Sequence, residues 1–455
     1  MNYKHTILIA IVLAFSSCRD YLAVTPDRAL TVPTKLEDLQ ALLEQEMMFE
    51  YSPAETVLGA DNYYLEYATW QSWYIFYRHC YIWLPDVNKG TTEGYLDWGD
   101  LYTIVYNTNV VLDGLRNLSM LQEDRDRYHL AKGMALFYRA FSFFGLAQVY
   151  ALPYSEVNVS KPGIPLRLRP DLDKAVQRAT IGATYGQIIN DLKTAAQILP
   201  DQVQVNHLNW PSKPSAYAAL ARVYLAMRKY HKAGLYADSS LQLHASLLDY
   251  NTIDSGARYP FPKDNPELLL QAYINTGIGA ISTWSTTRLV DSLLYRSYST
   301  NDLRRSLYFA DNDKGQPYYR GSYSANSNSF GGFATDEMYL TRAECAVRNS
   351  DIQAALNDLN TLLLSRWKAG TYVPYRETNP ERLLEIILRE RRKELVSRGL
   401  RWTDLRRLNQ EKSHQSTLKR QLKGEVYTLP PNDPRYVYPI PEEELHINPL
   451  VQNQR

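Results

Sequence analysis

The sequence predicts a mainly α protein, one large domain built around tetratricopeptide-like helix pairs, with a loop-rich, aromatic insert between two of them. Three observations carry that prediction. Ser215–Leu243 sets Tyr217, Leu220, Ala221 and Tyr224, then Ala233 and Ala237, in the small/large order of a tetratricopeptide pair. Small residues at Ala221 and Ala233 let two helices approach closely. A weaker copy follows in Tyr339, Ala343, Ala346, Ala355 and Leu359. Between them lies 251–334, rich in Tyr, Ser, Asn and Gly, which reads mostly as loop with a short strand at Leu268–Ile274. Copies so far apart in sequence are read as helix pairs embedded in a larger body, not as a continuous solenoid.

Taken in order, the chain opens with Lys4, an apolar run within Thr6–Phe15 and the small pair Ser16–Ser17 against Cys18. That is the order of a secretion signal, assigned to 1–17. The run is too short to span a bilayer, which needs roughly 20 apolar residues. Cys18 at the cut is expected to be lipidated, each buried methylene adding about 0.8 kcal/mol to membrane attachment. Residues 18–33 form a tether through Pro26 and Pro33. From residue 34 the folded domain begins. Thr34 reads as an N-cap with Glu37 closing a capping box, ahead of Leu36, Leu39, Leu42 and Leu43. Residues 51–97 are aromatic and irregular, punctuated by Pro53, Gly59, Pro85, Gly90 and Gly94. Helical spacing starts at Trp98, and further helices are expected near 128–150 and 185–199. Helix pairs are thus placed within 98–250 and 335–367. Asn379 with Pro380 after it starts another helix, which Gly399 is expected to end.

Composition narrows the chemistry. Over 455 residues, 45% hydrophobic, the net charge is only +1, so nothing points to nucleic acid. With Cys18 acylated, Cys80 and Cys345 remain, too few for a disulfide framework. Cys345, among Ala343 and Ala346, is expected to be a buried thiol. Tyr outnumbers Phe by 36 to 11, and an apolar ring with a polar tip suits wet binding surfaces as well as half-buried helix packing. No zinc-protease pair, Walker loop or nucleophile elbow is present, and the scattered His share no metal-ligand spacing. Gly277-Ile278-Gly279 lacks the third glycine of a dinucleotide loop. Glu93, Asp97 and Asp100 read as helix-start acids rather than a glycosidase pair. Ile386–Leu408 is densely charged, yet Glu390 and Glu394 lie among apolar Leu388, Leu395, Trp402 and Leu405. That reads as a helix pair laced by internal ion pairs.

The most specific residues are Glu390-Arg391-Arg392-Lys393-Glu394-Leu395, then Gly399, Arg401-Trp402, Asp404-Leu405 and Arg407. They are joined by Tyr438-Pro439-Ile440-Pro441-Glu442, Asn448-Pro449 and Gln452-Asn453. Tyr150-Ala151-Leu152-Pro153, Ser212-Lys213-Pro214-Ser215-Ala216 and Arg342-Ala343-Glu344-Cys345-Ala346 complete the set. Over nearly the whole chain these resemble the SusD/RagB-like outer-membrane nutrient-binding lipoproteins of Gram-negative glycan utilisers. Arg398 departs from the Glu usual in that family, which alters an ion-pair network.

The resemblance implies a SusD-like fold, no catalytic residues, no cofactor and no metal. It implies a lid on a SusC-like TonB-dependent transporter, lipid-anchored at the outer face of the outer membrane, which captures oligosaccharide and passes it on. It further implies an aromatic shelf drawn from the segment after the first helix and from the insert. The candidates there are Asp61, Tyr63, Tyr64, Trp70, Trp73 and Trp83, with Trp284, Tyr318, Tyr319 and Tyr323. A peptide-binding relative of the same fold and an α-helical glycosidase are the alternatives. A tetratricopeptide scaffold is a third class.

Overall fold

The computed structural model describes residues 33, 35–49, 52–91, 96–119, 122–171, 174–274 and 279–455. Cys18, Thr34, Glu93, Gly277 and Ile278 lie outside these, as do the signal and nearly all of the tether. Ten helices carry the body: α1 Leu36–Leu43, α2 Leu96–Asn117, α3 Arg125–Tyr150, α4 Ile181–Ile198 and α5 Lys213–Ala226, then α6 Tyr230–Leu243, α7 Thr335–Arg348, α8 Ile352–Leu364, α9 Pro380–Glu394 and α10 Leu400–Leu408. The predicted helices at 128–150 and 185–199 are α3 and α4, each starting a few residues early. The start of α4 is set by Thr180, whose side chain accepts from the Ala183 amide. Ser215 closes the start of α5, its hydroxyl accepting from the Ser212 amide at 2.7 Å, and Asn379 accepts from the Arg382 amide to open α9.

Each helix from α2 to α7 packs on the next one along the chain, and α7 also carries α8 and α9. The two repeat-like pairs, α5/α6 and α7/α8, are therefore stacked neighbours despite the insert between them. Ala221, Ala233 and Ala237 are fully buried at these seams. Gly234 on α6 lies so close to α7 that an added Cβ would stand 2.9 Å from Cys345 Cβ. This corrects the expectation of separately embedded pairs. The insert loops out of an unbroken helix stack because α6 and α7 bury more by packing together than apart.

Two other expectations change. Gly399 does not end α9, which stops at Glu394 with Leu395 as its C-cap. Its φ of +71° places it in the left-handed region directly before Leu400, so it starts α10 instead. The insert is loop-rich as expected, while the segment before α2, read as irregular, contributes a short strand that pairs with it. β1 Tyr63–Tyr64 pairs with β2 Leu289–Val290, β2 with β4 Pro317–Tyr319, and β4 with β3 Phe309–Asp311, all antiparallel. A hairpin, β5 Leu418–Leu422 and β6 Glu425–Leu429, turns at Lys423 and Gly424, both at positive φ.

The charged stretch folds inward, as its pattern predicts. Arg304 of the insert is fully buried and meets Glu390 at 2.6 Å, Asp302 at 2.7 Å and Glu394 at 2.8 Å. Arg366 bridges Glu394 at 2.7 Å and Glu267 at 2.8 Å. Arg407 joins Glu344 at 2.6 Å, and Arg398 pairs with Asp336 at 2.7 Å. Buried charges of this kind are tolerated only when each is paired. The network ties the insert to α9 and so fixes where the four-stranded sheet sits.

Candidate ligand-binding site

Period-2 alternation decides which rings of the sheet face out. Tyr64 lies opposite Leu289, and Leu289 opposite Tyr318, so these three share one face. Tyr63, Val290, Phe309 and Tyr319 take the other face and are all buried. The predicted juxtaposition of the segment after the first helix with the insert is thus built by strand pairing.

On the outer face Tyr64 is half-buried, and burial followed by the Glu66 carboxylate raises its phenol pKa. Trp284 is half-buried too. Its ring lies 6.1 Å from those of Tyr318 and Tyr259, with the Arg258 guanidinium 5.5 Å from its centroid. Its φ of +68° is uncommon for a bulky residue, and strain of this kind clusters at functional positions. A cleft of about 160 Å³ opens at Leu289, lined also by Glu66, Thr286, Asn312, Asp313, Lys314 and Gln316 among others. Glu66 accepts from Gln316 at 3.1 Å and Lys314 at 3.3 Å. Those two bonds, the amide's first, lower its pKa. The cleft therefore offers carboxylates, amides and hydroxyls around Leu289, the residue that lies opposite both Tyr64 and Tyr318 in the sheet.

The remaining candidates sit differently. Trp70 is half-buried, donating its indole N–H to the Arg78 carbonyl at 3.1 Å and packing on Tyr67. Trp73 stacks on Tyr63 at 6.3 Å and meets Tyr81 edge-on. Asp61 receives Arg401 at 2.7 and 2.9 Å and Arg392 at 3.3 Å. Burial opposes its ionisation, but these two guanidiniums hold it below the usual carboxylate range. It anchors the segment to α9 and α10.

Trp83 is 1% exposed and donates to the Gly59 carbonyl at 2.9 Å, while Arg420 of β5 lies over it, Tyr81 and Tyr63. Tyr323 is buried, giving its hydroxyl proton to Glu267 at 2.7 Å. Tyr63, Trp83, Tyr319 and Tyr323 have no ring face toward solvent, because these rings complete apolar clusters on the inner side. Tyr318 is covered largely by its neighbours. Sequence reasoning missed Glu66, Asn312, Lys314 and Gln316, whose spacing carries no signal until the strands pair. Asp97 accepts from the Ala54 amide at 2.7 Å, a structural contact. No cluster of metal-ligating side chains occurs among the described residues.

Residues 20–225 match the SusD-like family described as starch-binding, associating with outer membrane, and 322–455 match the SusD family. The chain belongs to the SusD/RagB-like family. SusD-like protein P2 of Formosa agariphila is 29% identical over 137 residues, 30% of this chain and 25% of that relative, so the match spans about a quarter of the relative's length. A SusD superfamily protein of Bacteroides thetaiotaomicron superposes with a TM-score of 0.74 at 22% identity, covering 92% of this chain and 100% of that one. A SusD-like carbohydrate binding protein of Bacteroides vulgatus gives 0.70 at 19%, covering 92% and 97%. The fold is accordingly the mainly α SusD-like domain, spanning nearly the whole chain.

Proposed function

We propose that this SusD-like protein is a non-catalytic, cell-surface glycan-binding lipoprotein that hands oligosaccharide to a SusC-like TonB-dependent transporter. Support for sugar binding comes from the family's description and the carbohydrate-binding neighbour. The observation that carries it in this chain is the β1–β2 pairing, which puts Tyr64 opposite Leu289 at the cleft where Glu66 meets Lys314 and Gln316. Flat rings stack on sugar C–H faces while carboxylates and amides grip hydroxyls. Of the ten candidates, Tyr64, Trp70, Trp73 and Trp284 are the rings this reading retains. Attachment to the outer membrane is assigned to acylated Cys18, and among the described residues no helix is long and apolar enough to cross a membrane.

A glycan array, followed by calorimetric titration of the strongest hit, tests the reading. Saturable oligosaccharide binding without release of reducing sugar is expected. If a peptide pool raises the melting temperature while no glycan does, the ligand class is wrong. Release of reducing sugar would replace binding with hydrolysis.

A further inference from the structure

Trp284 is flanked by guanidiniums that no carboxylate pairs with among the described residues. Arg258 is exposed, makes no hydrogen bond or ion pair among them, and lies 5.5 Å from the Trp284 centroid and 5.4 Å from that of Tyr259. Stacking of this kind holds a guanidinium in place over the rings. Arg288, buried and four residues after Trp284, donates to the Ser282 carbonyl at 3.3 Å. Arg320 follows Tyr319, whose carbonyl accepts from the Trp284 amide at 3.2 Å. It too is buried, and it donates to the Ala257 carbonyl at 3.4 Å and the Ser306 carbonyl at 2.7 Å. Its bond to Ala257 anchors the loop that carries Arg258.

Carbonyls satisfy donors but leave the charge uncompensated, and burial lowers the pKa of both Arg288 and Arg320. Arg304, also buried in the insert, meets three carboxylates instead. The acids of this region do not make up the difference. Glu66 already receives Gln316 and Lys314, and the exposed Asp254 accepts from the Gly256 amide at 2.8 Å. Asp311 and Asp313 are exposed at the β3–β4 turn, where water screens them more than it screens buried cations. The surroundings of Trp284 therefore carry excess positive charge. Arg258 presents there a fork that fits two oxygens of one anionic group.

We propose that the shelf takes an acidic oligosaccharide, whose anionic group is received by Arg258 while a sugar ring lies against Trp284. This names the ligand class of the site proposed above and rests on that reading. A uronate and a sulfate ester present the same charged oxygens, so the test separates those two sources.

An array carrying uronate-bearing and sulfated oligosaccharides beside their methyl-esterified and desulfated forms is probed with the purified protein. The strongest hit and its neutral form are then titrated calorimetrically at low salt. The acidic form should bind about tenfold more tightly than the neutral one, the scale of a hydrogen bond to a charged group. Which acid does so names the source. Arg258→Gln, at an exposed position, should keep its melting temperature, lose about tenfold in affinity for the acid, and bind the neutral form as wild type does. Lys161→Gln removes the same charge at an exposed position on the α3–α4 connection and should leave the preference intact. Three results overturn the acidic class and leave the shelf standing. They are neutral forms that bind equally well, an Arg258→Gln variant that still prefers the acid as wild type does, and an equal loss in Lys161→Gln. Binding of no glycan at all removes the shelf reading itself, and the acidic class with it.

Discussion

Glu394 accepts a hydrogen bond from Arg366 Nε at 2.7 Å, and neither side chain has any exposure. The same carboxylate also takes Arg304 Nη1 at 2.8 Å, so one acid compensates two buried guanidiniums. Removing it takes one carboxylate from each, leaving Arg304 with Asp302 and Glu390, Arg366 with Glu267, and buried guanidinium donors unpaired. Glu394→Ala should therefore destabilise the protein by about 3–5 kcal/mol, the cost of breaking a buried pair from one side. Urea unfolding beside glycan titration measures this. An unchanged midpoint with collapsed affinity would contradict the structural role assigned to the network.

Glu55 predicts a pH dependence. It is buried, and burial first, then the Asp97 carboxylate beside it, raises its pKa well above the usual 4.5. A carboxyl that holds its proton more tightly when folded loses stability as pH rises above the unfolded value. Stability from this group is complete below about pH 4.5 and falls as pH climbs through the folded pKa. Glu55→Gln cannot ionise, so its stability should decline less between pH 5 and pH 8 than the wild type's. Denaturant midpoints at the two pH values give the comparison, and parallel declines would remove Glu55 as the cause.

Trp284 and Trp83 should separate binding from folding. Trp284→Gly removes an outer ring and relieves its left-handed backbone, so stability should hold or rise while oligosaccharide affinity falls by about 1–3 kcal/mol. Trp83→Ala deletes a buried ring and should cost about 3–5 kcal/mol of stability instead. Calorimetry paired with thermal unfolding reads both. Equal affinity in wild type and Trp284→Gly would move the shelf to Tyr64 and Trp70.

Anchoring is tested at Cys18. Cys18→Ala should shift the protein out of the outer-membrane fraction, because the proposed attachment is acyl burial. The comparison is run in cells lacking the partner transporter, where retention of the variant would show that no acyl chain is needed.

Much of this protein was legible locally. The Asn379-Pro380 start and the repeat spacing over Ser215–Leu243 each depend on a few consecutive residues, so sequence alone determined them. The ion-paired nature of Ile386–Leu408 was legible too, since acids and bases at helical spacing must find partners. Gly399 was not, because a left-handed glycine serves equally after one helix or before the next. The identity of the buried partners, Arg304 and Arg366 for Glu394, required the insert to fold back on α9.

The proposed shelf was decided only by tertiary structure. Two-residue strands such as Tyr63–Tyr64 and Leu289–Val290 have no pattern of their own, and their register leaves Tyr64 half-buried while Tyr63 is buried. A one-residue slip would exchange Tyr63 with Tyr64 and bury the other set. Trp83 and Trp284 are equally aromatic in sequence. Arg420, arriving from the β5 hairpin, lies 4.7 Å from the first, which is 1% exposed, while Arg258 lies 5.5 Å from the second, which stays half-buried.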